Sequence, residues 1–310
     1  MKRNYNVYTS SKCNHNVITF LLCNYKVITK YISAYIVITF FPFTAAALTF
    51  DTPLADGRLI YGHLSPGEHL FVQERTLNIG KNTTKLFEVI PDTTGRFVLG
   101  IPQDSREFSL TLQDTTGSKQ MTFPVSETPW KQENVSGLPP AKVTPPPADQ
   151  ARITAEALAL RQARATSTYP AFPATWTRPV PKFKRISSFF GSRRILNGVK
   201  KQGHSGTDYA APTGTPVVAP APGRVVLTHP DMFFSGQTVL IDHGFGVFSS
   251  YSHLCDIKVK ENQIVSAKEI IGSVGTTGRS TGPHLHFTLT WYGVRVDPEP
   301  LFTHPQQAER

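Results

Sequence analysis

Residues 183–305 read as one β-strand after another, with almost no helical periodicity between them. The runs 214–219, 223–227, 238–243, 246–254, 269–274 and 284–290 are rich in Val, Ile, Leu, Phe and Thr, the side chains that suit a pleated, half-buried surface. Gly223, Gly244, Gly246, Gly272, Gly275 and Gly278 lie at or between them and supply tight turns and close backbone approach. The expected product is a compact domain built on a strongly twisted antiparallel sheet.

At 310 residues the chain has room for a second domain and a linker. Residues 48–130 carry five more strand-like runs, 58–61, 69–72, 85–90, 96–101 and 108–112, punctuated by Asp56-Gly57, Pro66-Gly67 and Thr94-Gly95. They predict a small antiparallel β-sandwich. It offers no catalytic constellation, and its His63 and His69 read as surface or packing residues. Residues 131–182 form the linker. Pro139-Pro140 and Pro145-Pro146-Pro147 favour extended chain. Asp149 is placed to cap a helix through Ile153, Ala157, Leu158, Leu160 and Ala163, which either packs on one domain or spaces the two apart. The fold class expected is mainly β.

Residues 1–47 read as a signal peptide or membrane-targeting segment. An apolar run from Tyr31 to Phe43 follows Lys26 and Lys30 and precedes Ala45-Ala46-Ala47, a small-residue cleavage pattern. Export is favoured over a retained anchor, because the run is short for a spanning helix and Pro42 interrupts its end. Val-Ile-Thr recurs at 17–19, 27–29 and 37–39, a spacing that matches no solenoid period. Removing residues 1–47 takes away five basic residues and no acid, so a formal charge of +10 becomes 27 basic against 22 acidic residues. Mild positive charge suits an anionic polymer such as a bacterial cell wall; no nucleic-acid recognition motif accompanies it. Of Cys13, Cys23 and Cys255, only the last survives cleavage after Ala47, so no internal disulfide is expected. Cys255 is expected to be buried and structural.

Two segments carry chemistry. His284 and His286 sit at i and i+2 of an extended run and project from one face of a strand. His204 and Asp208, four residues apart, add an imidazole and a carboxylate. Imidazole and carboxylate are the groups that bind zinc while leaving a position open for water. Each pair alone is a weak signal; both in one small β domain, beside Gly203, Gly206 and Gly282, are a strong one.

The segments resemble a known family. Gly203-His204-Ser205-Gly206-Thr207-Asp208-Tyr209, Tyr251-Ser252-His253-Leu254 and Gly278-Arg279-Ser280-Thr281-Gly282-Pro283-His284-Leu285-His286-Phe287 are similar, in order and spacing, to the three motifs of the M23 metallopeptidases of the lysostaphin and LytM type. The resemblance implies a zinc endopeptidase domain with His204, Asp208 and His286 as metal ligands and His253 and His284 as the catalytic histidines. One of the two would take the proton of the attacking water and the other would stabilise the oxyanion; which does which stays open. It implies peptidoglycan peptides as substrate. With no Gram-positive wall-binding module in view, a periplasmic or cell-envelope enzyme cutting D-Ala–diaminopimelate cross-links is favoured. Two other readings remain, a non-catalytic LytM-type activator of a cell-wall amidase and a wall-binding protein. The filled ligand positions argue against the first.

Five further features stand near these motifs. His243 is expected to shape a turn rather than bind metal. Arg279 either grips a substrate carboxylate or braces its glycine-rich loop. Thr288 stands where relatives often carry an acid, at a position with no assigned role. Residues 229–236 are a longer apolar loop that walls the substrate groove or covers the core. Lys182 to Lys201 holds seven Lys or Arg and no acid, by default a solvated face that could also attract an anionic peptide.

Overall fold

The computed structural model describes residues 48–73, 86–136, 144–165, 167–170, 173, 175–196, 198–200 and 202–303. The expected export segment and its Val-Ile-Thr repeats lie outside the described residues. Among the described residues no helix is long and apolar enough to cross a membrane.

The chain is mainly β, as its alternating pattern requires. The C-terminal sheet has ten strands, with the path Ile264–Val265, Gly223–Met232, Gly236–Asp242, Val247–Ile257, His284–Trp291, Thr207–Ala210 and Arg185–Ser188, and every pairing in it is antiparallel. Side chains alternate between faces along each strand. In His284–Trp291, Leu285 and Phe287 are fully buried while His284 and His286 are half-buried on the other face. Leu285 and Phe287 join Tyr209, Val225, Ile241 and Tyr251 in one core. Burial of each such side chain contributes about 1.5–3 kcal/mol, and it is this apolar set that fixes the register of the polar one.

The N-terminal strands form two sheets. Leu59–His63 pairs with Arg96–Gly100, and Leu86–Val89, His69–Gln73, Glu107–Asp114 and Gly117–Pro124 follow one another in the second. Phe50 lies between them, edge-on to Phe97 at 6.1 Å and to Phe123 at 5.3 Å. The strand Gly117–Pro124 had no signature in its Gly-Ser-Lys-Gln start. A hairpin makes it, closed by the Asp114 carboxylate, which accepts from the amides of Thr116 at 2.6 Å and Gly117 at 3.1 Å.

The linker helix is Gln150–Ala163. Asp149 precedes it in helical backbone conformation and makes no side-chain cap bond, because a 3-10 turn over Pro147–Asp149 feeds the helix directly. Ala159, Leu160 and Ala163 pack on Leu227, Met232, Leu240 and Phe248 of the C-terminal sheet. Ala157 and Leu158, expected on the packed face, point to solvent, Leu158 being 52% exposed. The helix is therefore docked and is no free spacer. Beyond it, buried Asp242 accepts from the Ser167 hydroxyl at 2.7 Å and from the amides of Thr168 at 2.5 Å and Tyr169 at 3.0 Å.

From Phe50 onward the chain packs as one unit. Arg58 pairs with Asp297 at 3.0 Å, and the Phe87 ring lies edge-on to Trp291 at 5.7 Å. Trp130 donates its indole N–H to Asp56 and packs on Phe190. Gly191 lies so close to that indole that a Cβ would come within 2.2 Å of it.

Candidate metal centre and active site

Strand register brings the candidate ligands together. Asp208 is the direct cross-strand partner of His286, and the next pair, Tyr209 with Leu285, points into the core. Asp208 and His286 therefore share the face opposite the core. His204 precedes the strand and is held by two backbone bonds to the 189–192 turn, His204 N–H to Ser192 O and Gly191 N–H to His204 O, both 2.9 Å. One donor atom from each of His204, Asp208 and His286 lies within 4.8 Å of the others. His204 Nε2 is 3.1 Å from His286 Nδ1, and Asp208 Oδ1 is 2.7 Å from His286 Nδ1 and 3.2 Å from His204 Nε2.

The hydrogen bonds behind these atoms fix which nitrogen faces inward. A carbonyl only accepts, so His204 Nδ1, 3.1 Å from Phe189 O, carries the proton and Nε2 presents a lone pair to the cluster. His286 has Thr288 Oγ1 at 3.0 Å and Ser205 Oγ at 3.3 Å behind its Nε2, leaving Nδ1 toward Asp208. Burial alone would raise the Asp208 pKa, but the His204 and His286 rings set against the carboxyl outweigh it and hold the group well below the ordinary range. Burial pushes His286 down, against the pull of the Asp208 carboxylate. Two imidazoles and one ionised carboxylate, converging and braced from behind, are a donor set that fits a zinc-type divalent cation.

His253 and His284 flank the cluster, their ring centroids 4.8 Å apart and His253 6.0 Å from His286. His253 Nδ1 is 2.8 Å from Thr277 O and His284 Nδ1 is 2.8 Å from Gly282 O. Both Nδ1 atoms are thus donors, which leaves Nε2 as the atom of each ring that bears the lone pair when the ring is neutral. Burial, with His286 and His284 alongside, pushes His253 down to about 3, so it is a neutral acceptor near pH 7. Its backbone is left-handed, with φ 65°, and its amide donates to Ser235 O at 2.7 Å. A left-handed non-glycine residue of this kind stores about 1–3 kcal/mol, which its surroundings must hold.

The other residues singled out in the sequence fall outside the cluster. His243 is fully buried between Pro222 O and Ser249 Oγ, each 2.7 Å away, in the expected structural role. Burial lowers it from an ordinary 6.5 to about 4. The unfolded chain then takes up a proton near pH 6.5 that the folded chain refuses until about pH 4. The contribution is complete above pH 6.5 and lost as pH falls toward 4, about 3 kcal/mol in all. Urea midpoints measured at pH 7 and pH 4.5 are expected to fall more for the natural chain than for His243→Gln; parallel falls would exclude the linkage.

Cys255 is exposed, which corrects the expectation of a buried structural thiol. The 229–236 loop is a hairpin continuing the strands Gly223–Met232 and Gly236–Asp242, with Met232 buried. Arg279 stacks its guanidinium 4.1 Å over Phe234 of that hairpin and donates its amide to Phe234 O at 2.9 Å, a bracing contact. Thr288 is no bystander, since its hydroxyl meets His286; the two-residue spacing was the signal. Of the basic stretch, Arg193 pairs with Asp104 at 2.7 Å and Arg194 with Asp208 at 3.2 Å, so neither is simply solvated. Ser188, Arg194 and Glu133, which brace the cluster, carried no motif.

Residues 202–298 match peptidase family M23. A crystal structure of an M23 peptidase from Pseudomonas aeruginosa is 31% identical, with a TM-score of 0.59, over 80% of this chain and 94% of that one. The chain belongs to peptidase family M23. The likeness of this M23 chain to the Pseudomonas protein reaches well upstream of residue 202. Among curated relatives, the peptidoglycan DD-endopeptidase ShyA of Vibrio cholerae is 46% identical over 122 residues, 38% of this chain and 28% of that protein. The DD-carboxypeptidase/endopeptidase Mpg of Neisseria meningitidis serogroup B is 44% identical over 118 residues, 37% and 26% of the two chains. The M23 chain thus aligns with little more than a quarter of the length of these relatives.

Proposed function

We propose that this chain is a zinc-dependent endopeptidase that hydrolyses the peptide cross-links of peptidoglycan, at D-Ala–diaminopimelate bonds, in the cell envelope. The observation that carries it is the convergence of His204, Asp208 and His286, with the imidazoles of His253 and His284 alongside. The relatives support the substrate, ShyA being named a peptidoglycan DD-endopeptidase and Mpg a DD-carboxypeptidase/endopeptidase.

In this reading His204 Nε2, Asp208 Oδ1 and His286 Nδ1 hold the metal. When bound, zinc supplies the Lewis acidity that makes water nucleophilic near neutral pH and polarises the scissile carbonyl. The protein supplies the proton management. His253 and His284 both spend Nδ1–H on backbone carbonyls, so each keeps Nε2 available and its ring direction set. One Nε2 accepts the proton from water. It later passes that proton to the departing amine, while the other ring, carrying on its Nε2 a proton taken up from solvent, donates to the developing oxyanion. The hairpin carrying Phe234 and the stacked Arg279 form a rim on which a peptide carboxylate can rest.

The test is mass spectrometry of fragments from defined cross-linked muropeptide dimers, with zinc-loaded protein and with chelator. Release of stem-peptide monomers, stopped by chelator and restored by zinc, is expected. Intact dimers with zinc-loaded protein would reject the enzyme reading. Stimulation of a wall amidase by metal-free protein would favour the activator instead.

A further inference from the structure

Behind the three donors stands a second acid, well upstream of the segment that matches the family. We propose that Glu133 is a positioning residue of the metal centre, orienting two ligands at once. This rests on the reading of His204, Asp208 and His286 as ligands.

Two branches leave the Glu133 carboxylate. In the first, Ser188 Oγ donates to it, at 2.8 Å from Oε2 and 3.1 Å from Oε1, and Ser188 Oγ lies 2.9 Å from His204 Nδ1. In the second, Arg194 Nη2 donates to Asp208 Oδ2 at 3.2 Å and to Ser188 Oγ at 2.7 Å, while Glu133 Oε2 sits 3.5 Å from Arg194 Nε and balances its charge.

A hydroxyl has one proton and two lone pairs. Glu133, an acceptor only, claims the proton of Ser188. The lone pairs are left to accept from Arg194 and from His204 Nδ1–H. That holds the tautomer with His204 Nε2 bare toward the cluster, seconded by Phe189 O at 3.1 Å. Without the acid, the Ser188 proton is free to turn toward His204 Nδ1, which favours the tautomer that cannot ligate through Nε2. Arg194, meanwhile, occupies Asp208 Oδ2 and leaves Oδ1 for the metal.

Glu133 reaches this place by backbone pairing. The strand Gln132–Val135 runs parallel to Arg193–Leu196 and sets Glu133 directly beside Arg194. Trp130 pins the approach against Phe190 and Asp56. The metal centre is thus completed by a strand that belongs to neither the N-terminal sheets nor the family motifs.

The experiment measures zinc affinity of the full chain by competition with a chromophoric chelator, and the visible spectrum of the cobalt-substituted protein. Glu133→Gln is expected to weaken zinc about tenfold or more and to shift the cobalt bands, with an unchanged thermal midpoint of the metal-free protein. Glu127→Gln, an exposed acid paired with Arg106, is the control and should leave both readouts alone. Natural affinity and spectrum in Glu133→Gln overturn the proposal. If that variant does not fold, Ser188→Ala carries the same test: the same loss is expected, and natural affinity overturns it. Failure of the unsubstituted chain to bind zinc would instead sink the reading of the three ligands.

Discussion

Alanine at His286 is expected to abolish bound metal and hydrolysis together, whereas substitution at His253 is expected to spare the metal and stop turnover. His286 Nδ1 sits 2.7 Å from Asp208 Oδ1 and 3.1 Å from His204 Nε2, at the middle of the donor set, so its loss leaves two of three ligands. The Lewis-acid contribution forfeited is several kcal/mol, hence a rate loss of about a thousandfold or more. His253 offers only its outer nitrogen and lies outside the ligand cluster. Removing a positioned proton acceptor costs about 10²–10⁴ in rate. Its left-handed backbone makes asparagine the better replacement, since asparagine tolerates that conformation. Metal content by atomic emission, read beside single-turnover rates on a defined muropeptide, separates the two. Equal metal loss in both variants would mean that the roles are wrongly assigned.

Gly206→Ala is expected to cost stability and metal at once. A Cβ there would lie 2.2 Å from Phe287 O and 2.8 Å from Thr288 Oγ1. The first contact is backbone, so no rotamer relieves it. Relief requires parting Thr207–Ala210 from His284–Trp291, the two strands that hold Asp208 and His286 in register. Overpacking of this kind costs about 1–3 kcal/mol, and the ligand geometry goes with it. A lowered urea midpoint for the metal-free protein together with reduced zinc occupancy is the expected result. A variant as stable and as well metallated as the parent would show that the strands can part without moving the ligands. By contrast Gly214→Ala meets no neighbouring atom within 4 Å, and its cost is confined to a positive φ.

Much of the site was legible in the order of residues. The i, i+2 spacing of His284 and His286 places both on one strand face whatever the surroundings, and the apolar Leu285 and Phe287 fix which face is buried. The expectation failed where a property arises from pairing. The strands Gly117–Pro124 and Gln132–Val135 lack strand composition and exist because neighbours complete their hydrogen bonds. Leu158 belongs to a helix whose packed face was misjudged, because Ile153, Glu156, Ala159, Leu160 and Ala163 form the inward stripe, and the polar Glu156 reaches through it to the Phe233 amide. Thr288 looked idle because its partner is a ring nitrogen, and no motif shows which nitrogen faces it.

Residue order alone set the chemistry on offer: three lone-pair donors, two further histidines, and an alternation that makes sheets. These are properties of side-chain type and of the two-residue period of a strand. Folding settled which nitrogen of each imidazole faces inward, that His253 sits in left-handed backbone, and that Glu133, from outside the peptidase motifs, lies behind His204 and Asp208. Those depend on hydrogen bonds between residues far apart in the chain, and the chain order carries no record of a partner until the strands have paired.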